Sequence, residues 1–165
     1  MRKLIALFLM VILASFLTYA EVEKKYDRFS KETTISTITS PFRSKRPELY
    51  CGPFIFKGEI LKKTPEKAPL FFISKNDDWE YLECHHTYLL VDGEAVDLGE
   101  GTHHGDVGSG YVLEFIFHLE VPFNLLQKLA LAKKVEVKIC NTEFVLTREE
   151  SSDLQEYVRL LTPGK

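Results

Sequence analysis

Apolar and polar residues alternate at every second position through much of this chain, and that period marks strands. The clearest case surrounds Asp92-Gly93. Tyr88-Leu-Leu-Val91 precedes the pair and Ala95-Val-Asp-Leu98 follows it. An Asp-Gly pair between such runs predicts a two-residue hairpin, because glycine accepts the positive φ of a type I′ turn. Upstream, Trp79, Tyr81, Glu83 and His85 alternate with Glu80, Leu82, Cys84 and His86. As a strand, this stretch would point His85 and His86 to opposite faces, so they share a site only where a bulge intervenes. Tyr111 to Leu119 is the longest strand expected. Leu70-Phe-Phe-Ile73 is a short continuous apolar run that suits a central strand.

The remaining strands are less regular. Thr33 to Thr39 is rich in Thr and Ile and reads as peripheral. Pro41, Pro47 and Pro53 punctuate the next stretch, and Leu49 to Leu61 holds a strand around Phe54, Ile55 and Phe56. Five glycines between Gly99 and Gly110 predict a loop.

The period then changes. Pro122 starts a helix whose apolar stripe is Phe123, Leu126, Leu129 and Ala130. Val135, Val137 and Ile139 return to alternation, and Asn141-Thr142 turns the chain into Phe144-Val-Leu146. Thr147 with Glu150 forms a capping box for a last helix, which faces Leu154, Tyr157, Val158 and Leu161 inward. Strands first, then helix, hairpin and helix, predict an α+β fold. We expect a mostly antiparallel β-sheet or sandwich with two C-terminal helices, the alternative being an up-and-down barrel.

The first twenty residues stand apart. Arg2 and Lys3 precede an uncharged apolar run from Leu4 to Leu17, and Thr18-Tyr-Ala20 supplies small residues at a cleavage site. Residues 1–20 are therefore expected to be a signal peptide cleaved after Ala20. The membrane is then met only transiently, and the product is periplasmic or secreted. Retention of the segment as an anchor is the alternative. Residues 21–32 are charged and aperiodic, and predict a flexible lead-in. Residues 33–165 predict one β-rich globular domain. Loss of Arg2 and Lys3 takes the formal charge from −3 to −5, which argues against nucleic acid as a partner.

This chain resembles a family of uncharacterised exported bacterial proteins of unknown function. The similarity rests on Tyr26-Asp-Arg-Phe29 with Thr33-Thr34, Phe72-Ile-Ser74, Trp79-Glu-Tyr-Leu-Glu-Cys-His85 and Gly105 to Glu114. Ala132-Lys-Lys-Val-Glu136, Cys140 and Glu143-Phe-Val-Leu-Thr147 complete it. It implies one exported domain and assigns no activity or ligand.

Candidate chemistry concentrates between Trp79 and Leu119, which contains the single tryptophan and all five histidines. Cys84, His86, His103 and His104 are a ligand set suited to zinc or copper. No C-x-x-C, H-x-x-x-H or H-E-x-x-H spacing supports it. Ser109 is not in a G-x-S-x-G elbow. Trp79, Tyr81, Tyr88 and Tyr111 are the candidates for binding a protein or a small ligand. Cys51, Cys84 and Cys140 leave at least one thiol without an intrachain partner. They read either as three buried core residues or as one disulfide with a spare. A non-catalytic binding module is the leading expectation, with a metal-binding domain or metalloenzyme as the alternative.

Overall fold

The apolar run beginning at Tyr111 becomes the longest strand and sets the centre of the molecule. In a computed structural model that describes residues 22–37 and 46–164, it spans Tyr111–Pro122. Its burial follows the period of two. Val112, Glu114, Ile116 and His118 are buried, and Tyr111, Leu113, Phe115 and Phe117 on the other face are half-buried.

In chain order the strands are β1 (Val22–Asp27), β2 (Glu32–Thr37), β3 (Glu48–Cys51), β4 (Phe54–Lys57), β5 (Lys67–Asn76) and β6 (His86–Val91). They continue with β7 (Glu94–Glu100), β8 (Thr102–Gly108), β9 (Tyr111–Pro122), β10 (Val135–Ile139) and β11 (Thr142–Val145). Helix α1 (Phe123–Leu131) follows β9, and α2 (Arg148–Leu160) follows β11. The strands form three antiparallel sheets of order β1-β2-β4, β3-β5-β9-β8 and β11-β10-β6-β7. This is the α+β, largely antiparallel sandwich with two helices near the C-terminus that the sequence predicts. The barrel alternative fails because the strands divide among separate sheets.

The two four-stranded sheets face each other. Phe72 of β5 meets Phe144 of β11 edge to face, with ring centroids 6.1 Å apart. His118 Nε2 lies 2.9 Å from Thr87 Oγ1 across the same gap. Helix α2 closes one end. Tyr157 donates from its hydroxyl to Pro69 O at 3.2 Å. Glu150 serves both its capping box and the sheet, accepting from Thr147 N, Leu49 N and Arg46.

At the predicted hairpin, Asp92 and Gly93 have φ of 51° and 89°, so both central residues take the left-handed conformation a type I′ turn requires. Two expectations are corrected. Part of the charged lead-in is a strand, since Val22–Asp27 pairs along its length with β2. The glycine-rich stretch after Gly99 is also a strand, since β8 pairs with β9 from Thr102↔Phe117 to Gly108↔Tyr111. Both lie at sheet edges, where a partner's backbone supplies the order that side-chain burial does not. The signal peptide read over residues 1–20, and Pro41, lie outside the described residues.

Candidate functional site

Residues 77–85 do not continue into β6 as a strand. They form an irregular loop across the inner face of β8 and β9, and the cause is Glu114. This residue occupies an inward position of β9 and is 1% exposed. Its Oε2 accepts the Glu80 N–H at 2.8 Å, and its Oε1 accepts the Tyr81 N–H at 2.9 Å. His103 Nε2 is 3.1 Å from Oε1. A carboxylate taken out of water needs such partners, and backbone N–H groups drawn to it are lost to a sheet ladder.

Three further contacts fix the loop. Tyr81 is fully buried in the core, and burial pushes its phenol above the ordinary tyrosine range. Cys84 is disulfide-bonded to Cys140 at the turn between β10 and β11. Trp79 lies over Gly105 of β8, where an added Cβ would overlap indole Cζ3. The loop still presents apolar surface, with Trp79 36% and Leu82 53% exposed.

A chain of imidazoles and carboxylates borders it. The His103 ring stands edge-on to Trp79 and stacks on His85, with the two imidazole centroids 5.0 Å apart. His85 Nδ1 is 3.0 Å from Glu100 Oε1, and His86 Nδ1 is 3.3 Å from Glu100 Oε2. His86 Nε2 is in turn 2.7 Å from Asp97 Oδ1. Both histidines thus reach one carboxylate, against simple alternation. The reasons are that His85 precedes the strand and that the β6–β7 register shifts between Thr87↔Gly99 and Tyr88↔Asp97. The Gly99 N–H, with His86, holds the Asp97 carboxyl below its usual range. The His85 N–H, with the two imidazoles, does the same for Glu100.

The four residues expected to bind zinc or copper do not converge. Cys84 has no thiolate, because its sulfur is bonded to Cys140. His86 is held by Asp97 and Glu100, and His103 by Glu114. His104 is on the opposite face of β8, near Phe115. Among the described residues no three His, Cys, Asp or Glu side chains are grouped to hold a metal.

The four aromatic candidates are likewise dispersed. Trp79 is on the loop and Tyr81 in the core. Tyr88 is 46% exposed on the outer face of β6, against His86. Tyr111 covers Gly108 beneath the Lys75 ammonium, which is 4.3 Å from its ring centroid. Ser109 is in the turn between β8 and β9. Cys51 is free and buried, and burial pushes its thiol up, away from the reactive thiolate. Glu114, Glu100 and Asp97 are the site residues that sequence reasoning missed. Glu114 carries a usable signal, as a charge at an inward position of an otherwise apolar strand.

His118 gives a pH test. Burial, with His86 nearby, lowers its pKa to about 4. Between that value and the ordinary 6.5, the unfolded chain binds a proton that the folded one refuses. Stability therefore falls as pH drops through this window, by on the order of 2–3 kcal/mol in total. The Asp97 and Glu100 contributions start to be lost at the bottom of this window, as pH falls below the ordinary carboxylate values of 3.8 and 4.5, and are gone once each folded carboxylate is protonated. Denaturation midpoints measured from pH 7 to 4 should show the decline, and His118→Gln should flatten it. A wild-type profile level across this range contradicts the buried neutral imidazole.

No family model matches this chain, and neither a curated protein nor a solved structure matches it.

Proposed function

We propose that this protein is an exported, non-catalytic binding module that recognises its ligand with the exposed tip of the 77–85 loop. One observation carries the reading. A loop that shows Trp79 and Leu82 to solvent is held by a buried carboxylate, a buried tyrosine and a disulfide. Such anchoring lowers the ordering cost of binding and gives exposed apolar groups a defined geometry. The disulfide supports an oxidising compartment, in line with the export signal expected at residues 1–20. The imidazoles and carboxylates beside the loop are bonded to one another, which suits a polar rim around an aromatic anchor.

Trp79 is the sole tryptophan, so its emission reports directly on the site. Titration with a panel of small glycans, peptides and exported proteins should give a ligand that shifts or quenches it. Trp79→Ala should weaken that ligand, followed by calorimetry, by at least roughly tenfold, with a stability loss of only about 1–2 kcal/mol because Glu114, Tyr81 and the disulfide still hold the loop. Gly105→Ala should weaken it too, by displacing the indole. Binding indifferent to both changes would overturn the proposal. So would a hydrolytic turnover abolished by His103→Ala.

A further inference from the structure

The outer face of the β11-β10-β6-β7 sheet lies beyond the loop just described and meets its polar rim at His86 and Asp97. Tyr88, Leu90 and Val145 are 46%, 40% and 44% exposed there. With Ala95 they line an open groove of about 410 Å³. Strand pairing sets this face in two rows. One crosses Val145, Glu136, Leu90 and Ala95, and the other crosses Glu143, Lys138, Tyr88 and Asp97.

We propose that a second copy of this chain covers the face, in a two-fold dimer whose axis runs across the strands between the two rows. Rotation about that axis sets each strand over its own counterpart and exchanges the rows. Glu136 then faces the partner's Lys138, and Lys138 faces the partner's Glu136. Leu90 likewise packs on the partner's Tyr88, and the reverse. Each contact occurs twice, as an isologous interface requires. The strands of the two copies stay nearly aligned, which is an ordinary packing for two sheets about 10 Å apart.

Charge chooses this axis over the other in-plane one. A two-fold along the strands, between β10 and β6, would set Glu143 against the partner's Asp97 and Glu136 against its Leu90. The cross-strand axis instead extends pairs already present within one chain. Lys138 Nζ is 2.7 Å from Glu143 and Lys134 Nζ is 3.0 Å from Glu136. The Glu136–Lys138 contacts across the axis join such pairs into a larger alternating network, Val145 and Ala95 meet the partner's Glu143 and Asp97 on the edge strands, and Leu90 with Tyr88 supplies the apolar area that a lone sheet face leaves wet.

Sedimentation velocity of the purified protein over a concentration series tests the proposal. The expected result is a monomer–dimer equilibrium. Leu90→Asp should weaken it at least roughly a hundredfold, as a charge placed in the interface centre does. E136K and K138E should each weaken it at least roughly tenfold, since each sets like charges opposite one another. The double variant E136K/K138E should recover most of the loss, because the introduced charges face each other again. Should Leu90→Asp fail to fold by circular dichroism, Tyr88→Ser replaces it. A monomer at every concentration up to roughly 1 mM overturns the proposal. So does a dimer indifferent to the apolar substitution, or a double variant no better than the singles.

Discussion

Glu114→Ala should cost the fold about 3–5 kcal/mol and release the 77–85 loop. The carboxylate accepts from two backbone N–H groups and adjoins His103, and alanine leaves all three without it. Each donor stranded away from water costs about 1–3 kcal/mol. Removing a buried charge returns some desolvation energy, which keeps the total below the simple sum. Glu114→Gln separates the two effects. It keeps the shape and one acceptor oxygen, but turns an amide N–H₂ toward a donor, so an intermediate loss of about 1–3 kcal/mol is expected. Urea denaturation measures the loss. Trp79 emission should move to longer wavelength in the alanine variant, as the indole leaves Gly105. The Glu80 and Tyr81 amides should exchange with solvent faster, with slow exchange retained in β5. A loss under about 1 kcal/mol with unchanged emission would mean that the loop holds its shape without the carboxylate.

The same residue separates what was legible in this sequence from what was not. The Asp92-Gly93 hairpin, the Thr147–Glu150 capping box and the stripes of both helices are local signals, and each appears where the residues place it. Alternation from Trp79 to His86 is equally local and equally clear, yet no strand forms before His86. Glu114, more than thirty residues away, takes the N–H groups that a ladder would need. Tyr81 and Trp79 are two aromatic residues two positions apart, and nothing in their immediate sequence says that one is core and the other surface. That division depends on which lies over Gly105 and which enters the space between the sheets. Strand β8 was hidden for the converse reason. Its glycines predict a loop, but Gly105 and Gly108 make room for the rings of Trp79 and Tyr111, and β9 supplies the partner backbone.

Breaking the disulfide should be as damaging to stability and more so to the loop. Cys84 and Cys140 are separated by 56 residues. Closing a loop of that length restricts the unfolded chain by about 4 kcal/mol on the chain-entropy description, and measured losses for native bridges run about 2–5 kcal/mol. The bridge also has a local task. It joins the end of the 77–85 loop to the β10–β11 turn, where the Cys140 N–H donates to His86 O at 3.0 Å. Cys84→Ser with Cys140→Ser, compared with the parent under oxidising and reducing conditions, distinguishes the two contributions. The denaturation midpoint of the double variant should fall to that of the reduced parent. Ligand affinity at Trp79 should fall further than Trp79→Ala alone explains, because His85 and the stacked His103 lose their fixed neighbour along with the loop. The dimer proposed on the outer face depends on the β6 and β10 backbones. Their pairing from Thr87↔Ile139 to Val91↔Val135 lies next to the bridge without including it, so association should persist wherever the variant remains folded. A double variant as stable as the parent, with Trp79 emission unaltered, would show that Glu114 and Tyr81 suffice to hold the loop.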